Sequence, residues 1–177
     1  MKSSRWASSS SPTGVSRLHL SRVTNEEELY TALNSLFSMG EEAIVETAVV
    51  GREVTCGVLG EEALAPILVV SKGNYFDYHN KYAPDGAQEI CPAPIAPEET
   101  AKVQDAALRA HHALGLKGYS RADFILQDDG TLYILEVNTT PGMTSTSLVP
   151  QEAKVIGLDF GQLLERLMEL GMARRKS

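Results

Sequence analysis

Two short stretches of this chain combine residue types and spacing that could do chemistry: Arg121-Ala122-Asp123 and Glu136-Val137-Asn138. Residues two apart on a β-strand share a face, so each stretch presents two polar side chains in one direction. Glu136 and Asn138 bring hard oxygen donors to the end of an apolar run, Leu132 to Leu135. That layout suits Mg²⁺, which takes one or two carboxylates and completes its octahedron with phosphate and water. A Pro141-Gly142 turn and the hydroxyl-rich loop Thr144-Ser145-Thr146-Ser147 follow directly. A buried strand needs none of this polarity. Spacing alone leaves an equal alternative, in which Arg121 and Asp123 form a surface ion pair worth ~0–1 kcal/mol.

The elements that must position these groups can be read from pattern. Arg121 to Leu126 and Thr131 to Val137 are expected to form a hairpin around Asp128-Asp129-Gly130. Pro97-Glu98-Glu99 opens a helix that Gly115 stops. Further strands are expected over Val15–Val23, Ala43–Glu46, Glu53–Leu59 and Ala63–Val70. Asn25 should cap a helix with Glu26, Glu27 and Glu28 in its first turn and Gly40 at its end. Its apolar stripe is Leu29, Leu33, Leu36 and Phe37. Phe76 to Pro94 reads as a long polar loop, and long loops in compact domains tend to be functional. A final helix is expected from about Phe160 to Leu170. The serine-rich start has no period and reads as a mobile tail. Strands outnumber helices and hairpins join them, so the fold class is α+β, a mostly antiparallel sheet packed on helices.

Bulk composition narrows the partners. With 177 residues, 43% of them hydrophobic, the chain can bury one core or two small ones. A net charge of −7 argues against nucleic acid or an anionic membrane as the main partner. No apolar run is long enough to span a bilayer, and no secretory signal is visible. Cys56 and Cys91 lack metal spacing, which fits a reduced, cytoplasmic protein. His79, His111 and His112 have no ligand spacing and read as bystanders.

The run Glu136-Val137-Asn138-Thr139-Thr140-Pro141-Gly142-Met143-Thr144, followed by Ser147-Leu148-Val149-Pro150, resembles the C-terminal part of the D-alanine–D-alanine ligases. These belong to the ATP-grasp superfamily. Gly118 to Asp123 is similar to the family's Gly-x-x-Arg-x-Asp strand. Phe76-Asp77-Tyr78 with Lys81-Tyr82 and Cys91-Pro92-Ala93 resembles its substrate-proximal loop. The resemblance covers roughly residues 14 to 170. It implies a large ATP-grasp lobe over 48–177, a partial small lobe over 14–47, and an atypical or disordered tail over 1–13.

For the site, the resemblance implies that Asp123, Glu136 and Asn138 hold two Mg²⁺ ions, with Mn²⁺ as a substitute, on the ATP phosphates. Arg121 and the Gly142 backbone N–H would stabilise the oxyanion of a tetrahedral intermediate. Glycine fits that role because its backbone can approach a substrate closely. Glu46, Val49 and Glu53 would grip adenine and ribose, though acids at this spacing usually just mark solvated strand ends. Lys81 would contact phosphate and Tyr82 would close over substrate; alone, such a pair is usually surface. Ser147 and Leu148 would hold the carboxylate of the second amino acid, where a loop serine otherwise caps the next helix. The implied activity is ATP-dependent joining of two D-alanines for peptidoglycan synthesis, by a truncated C-terminal part. The alternative is a non-catalytic ATP- and Mg²⁺-binding fragment that needs a partner or the N-terminal lobe. Partners would be small molecules, with a homodimer left open.

The sequence departs from the family pattern at three places. Thr47 and Ala48 replace basic and aromatic residues in the hinge. Ser10-Ser11-Pro12-Thr13 stands where a glycine-serine phosphate loop belongs, and Pro12 lacks an N–H to donate. The lysine that precedes that loop in the family has no counterpart.

Overall fold

The computed structural model describes residues 5–9, 21–70 and 88–174, the side chains of 5–9 and 174 excepted. They fall into two compact units, with the division at Val50/Gly51.

Among the described residues the smaller unit holds three strands and one helix. Strands β1 (Arg5–Ser9), β2 (Ser21–Val23) and β3 (Ala43–Thr47) form an antiparallel sheet in the order β2-β1-β3. Trp6 pairs with Glu46 and Arg22 across it. Residues 5–9 of the atypical or disordered tail expected over 1–13 therefore form a central strand and are not a mobile segment. Serines carry little strand propensity, so the pairing partners supply what the sequence pattern does not. Helix α1 (Glu26–Ser38) starts as its sequence requires: the Glu28 N–H donates to Asn25 Oδ1 at 2.9 Å. Glu28 in turn accepts from the Thr24 N–H at 2.7 Å. Gly40 leaves the helix at φ 76°, where a side chain would be strained. Leu36 is buried, but Phe37 is exposed rather than part of the buried stripe.

The larger unit is built on a six-stranded antiparallel sheet. Its strands are β4 (Arg52–Leu59), β5 (Glu62–Ala63), β6 (Ile67–Val70), β7 (Gln88–Ile90), β8 (Tyr119–Leu126) and β9 (Leu132–Asn138). The order is β7-β6-β4-β8-β9, with β5 also on β4. Two expectations need correction. The single strand over Ala63–Val70 is two, because the chain leaves the sheet around Pro66, which has no N–H for a ladder. Part of the expected loop, Gln88–Ile90, is a strand paired with β6. The β8–β9 hairpin turns at Gly130, φ 78°, with the Gln127 N–H on Thr131 O at 2.9 Å.

Helices α2 (Pro97–Ala113), α3 (Leu148–Val155) and α4 (Phe160–Arg174) complete the unit. Pro97 opens α2, and Glu99 accepts the Ala96 N–H at 3.0 Å. The sheet's main core lies on the α2 side: Val54, Cys56, Val58, Ala122, Phe124 and Leu126 meet Val103 and Ala107. A second cluster, Leu59, Leu64, Val149, Ala153 and Leu163, joins the sheet to α3 and α4. No helix among the described residues is long and apolar enough to cross a membrane.

Candidate active site

Strand register decides which side chains meet. Arg121 lies opposite Asn138, and Asp123 opposite Glu136, across the β8–β9 ladder. Directly opposed residues share a face, so all four side chains project on one side of the sheet. On the other flank of β8, Thr55 pairs with Asp123 and Gly57 with Arg121. A register shift follows Asp123 and re-aims the strand just past the polar pair.

This polar face is tied together by hydrogen bonds. Arg121 Nε and Nη2 donate to Asp123 Oδ1 and Oδ2, each at 2.8 Å. Thr55 Oγ1 donates to Asp123 Oδ1 at 2.5 Å. The Arg121 and Asp123 side chains are only 13% and 8% exposed, so this is not the surface ion pair that spacing alone allows. Burial works against the Arg121 charge. The Asp123 hydrogen bonds, with the charges of Asp123, Glu136 and Glu152, outweigh it and hold the guanidinium above its ordinary value. Glu136 and Asn138 are half-buried, and Asn138 Oδ1 accepts the Thr140 N–H at 3.0 Å. That bond closes the turn leading to Pro141.

The loop after β9 is organised by its own hydroxyls. The Thr144 N–H donates to Ser147 Oγ at 3.0 Å, and the Ser147 N–H to Thr144 O at 2.9 Å. Ser147 occupies the N-cap position of α3, yet its hydroxyl bonds Thr144 and makes no cap hydrogen bond. Helix capping is therefore not its side chain's task. Gly142 is exposed at the start of this loop and Leu148 half-buried at its end.

The remaining candidate residues are divided between the two units or lie outside the described residues. Glu46, exposed on β3, and Val49, half-buried, belong to the smaller unit. Glu53 lies on β4 in the larger one, on the same strand face as Thr55. Lys81 and Tyr82 lie outside the described residues. Among the described residues no group of three His, Cys, Asp or Glu side chains is placed to hold a metal. The donor set on the polar face is instead two carboxylates and an amide oxygen.

Sequence reasoning missed Thr55 and, above all, Glu152. Glu152 is fully buried, and its Oε1 accepts the Gly57 N–H at 2.9 Å. Burial pushes its carboxyl well above the ordinary range; the Gly57 N–H and Arg121 pull the other way, while Asp123 adds to the rise. Glu152 thus strengthens the Arg121 cation only when ionised, a form that its burial disfavours. The clue was present: Val149, Glu152 and Ala153 fall on one helical stripe, and Gly57 interrupts a strand.

The α+β fold and an acid-amide face on antiparallel strands define the class: an ATP-grasp ligase fold. Within that class, the chain belongs to the family described as the D-ala D-ala ligase C-terminus, whose model matches residues 8–169. It is 61% identical over 164 residues to a D-alanine–D-alanine ligase of Desulfovibrio desulfuricans, covering 92% of this chain and 54% of that protein. The crystal structure of the Bacillus anthracis D-alanine–D-alanine ligase matches with a TM-score of 0.81 at 29% identity. That match covers 98% of this chain and 56% of the other. The same enzyme complexed with ATP matches with a TM-score of 0.77 at 30% identity, covering 97% and 54%. The chain spans about half the length of the relatives it matches.

Proposed function

We propose that this chain carries the nucleotide, metal and second-substrate half of an ADP-forming D-alanine–D-alanine ligase of peptidoglycan synthesis. The observation that carries the reading is register: Asp123 opposite Glu136 and Arg121 opposite Asn138 on one sheet face. In that reaction the γ-phosphoryl of ATP passes to the carboxylate of one D-alanine, giving an acyl phosphate and ADP. The amine of a second D-alanine attacks the acyl carbon, and phosphate leaves. Positioning and charge stabilisation supply most of such catalysis.

Each residue then has a task. Asp123, Glu136 and Asn138 supply hard oxygens that fit Mg²⁺, which when bound neutralises phosphate charge. Asp123 suits ligation because Thr55 and Arg121 fix its rotamer. Arg121 and the Gly142 N–H face the developing oxyanion. Ser147 and Leu148 hold the carboxylate of the second D-alanine, with Thr144 orienting the Ser147 hydroxyl. Glu46 and Val49 take the adenine and Glu53 the ribose hydroxyls; Lys81 meets phosphate and Tyr82 closes over substrate. The smaller unit corresponds to part of the small lobe, the larger to the large lobe, in a cytoplasmic protein.

A second reading is favoured by the coverage of about half the relatives' length: the 177-residue chain binds Mg²⁺ and nucleotide but makes no dipeptide alone. D-alanine-dependent phosphate release separates the two. We expect release below detection from this chain alone, because losing positioning groups that supply ~7–11 kcal/mol leaves too slow a rate. Turnover at an ordinary ~1–10³ s⁻¹ would refute the second reading and extend the first to the whole reaction.

A further inference from the structure

Glu152 is fully buried, and its partner is a backbone group rather than a cation. The reason lies in the ladder of β4. Strand β6 pairs with β4 over Glu53–Thr55, and β5 over Val58–Leu59. Gly57 falls in the gap between them. The Leu64 N–H donates to the Gly57 carbonyl at 2.8 Å. The Gly57 N–H on the same edge meets no strand among the described residues, and a buried orphan N–H is costly. Glu152 Oε1 fills that place. A Cβ at Gly57 would collide with Glu152 Oε2, so glycine makes room for the carboxyl. Oε2 itself is buried with no hydrogen-bond partner among the described residues.

The contact joins two parts of the candidate site. Gly57 is the register partner of Arg121, and Thr55, two residues earlier, holds Asp123. On the other side, α3 begins at Leu148, immediately after the loop from Gly142 to Ser147. Gln151, beside Glu152, donates from Nε2 to Thr146 O at 3.0 Å, so the end of the loop is tied to the same turn.

We propose that Glu152 is the positioning residue of this loop: through the Gly57 N–H it fixes α3, and with it Gly142 to Leu148, against the strands carrying Arg121 and Asp123. Calling the loop a substrate loop rests on the function proposed above; the mechanical coupling does not. A shift of about 1 Å in such a loop can cost about 10²-fold in rate.

Residue-resolved amide hydrogen exchange on the 177-residue chain tests the coupling. Glu152→Ala should speed exchange at Gly57, Thr144 and Ser147 by about tenfold or more, while Gln127 and Gly130 at the far hairpin turn keep their rates. Glu152→Gln keeps an oxygen acceptor of the same reach and should restore wild-type rates. Glu152→Asp keeps the acid but shortens the reach, and should resemble Glu152→Ala. If Glu152→Ala does not fold, the contrast between the Asp and Gln variants carries the test. Equal acceleration at every amide, or unchanged rates at Thr144 and Ser147, would overturn the proposal. A second arm adds D-alanine to the Mg²⁺–nucleotide-loaded chain and follows the Ser147 and Leu148 amide resonances. Weaker D-alanine binding in the Ala variant, restored in the Gln variant, supports the positioning role. No response in the wild type would overturn the substrate reading of the loop and leave the exchange result to decide the coupling.

Discussion

Alternate residues of β4 and β8 go to opposite fates. Val54, Cys56, Val58, Ala122, Phe124 and Leu126 pack against α2 in a dry core. Their neighbours Glu53, Thr55, Gly57, Arg121 and Asp123 face the other way and make the polar surface. The period of two that builds the core therefore also aims the candidate site. The polar face is held by a backbone shared with a well-packed one, so its rotamers rest on rigid support. It is also the face where burial is incomplete: Glu136 and Asn138 stay half-exposed while Asp123 sinks beneath them.

The two faces should differ in what they contribute to stability. Phe124 is 1% exposed in the α2-side core, so Phe124→Ala should cost ~3–5 kcal/mol. Glu136→Gln on the polar face should cost about 1 kcal/mol or less. Chemical denaturation of both variants checks this. Equal losses would mean that the polar face belongs to the core.

Much of this division was legible in the sequence. The spacing of Arg121 with Asp123, and of Glu136 with Asn138, places each pair on one face without knowledge of the fold. That the two pairs stand directly opposite depends on the register shift between Asp123 and Phe124: counted from Leu126 opposite Leu132 alone, Asp123 would face Leu135, and no spacing in the sequence announces the shift. The α1 start at Asn25 and the α2 start at Pro97 were legible because caps are local chemistry. What stayed hidden is non-local. Thr55 and Glu152 reach Asp123 and Gly57 across separations of 68 and 95 residues. No periodicity carries such pairings. Strand β1 was hidden for the same reason, since its serines form a strand only through β2 and β3.

A smaller effect separates the faces by pH. The folded carboxyl of Glu152 is held above its unfolded value by burial. Between the ordinary carboxylate pKa of about 4.5 and that raised value, the folded state keeps a proton that the unfolded state releases. The Glu152 contribution to stability is thus fully present below the unfolded pKa and lost as pH rises through the folded one. Glu152→Gln has no proton to lose. Denaturation midpoints at about pH 5 and about pH 8 should shift in favour of Glu152→Gln at the higher pH. A constant difference would mean that Glu152 is ionised in the folded protein.

The function proposed above requires that the Asp123–Glu136–Asn138 face bind Mg²⁺ together with nucleotide. Calorimetric titration of the 177-residue chain with a non-hydrolysable ATP analogue, with and without Mg²⁺, tests it most directly. Binding should depend on Mg²⁺ and weaken by about tenfold or more in Glu136→Gln, the scale of losing one charged ligand interaction of ~1.4 kcal/mol or more. Nucleotide affinity indifferent to Mg²⁺, or unchanged in Glu136→Gln, would contradict it.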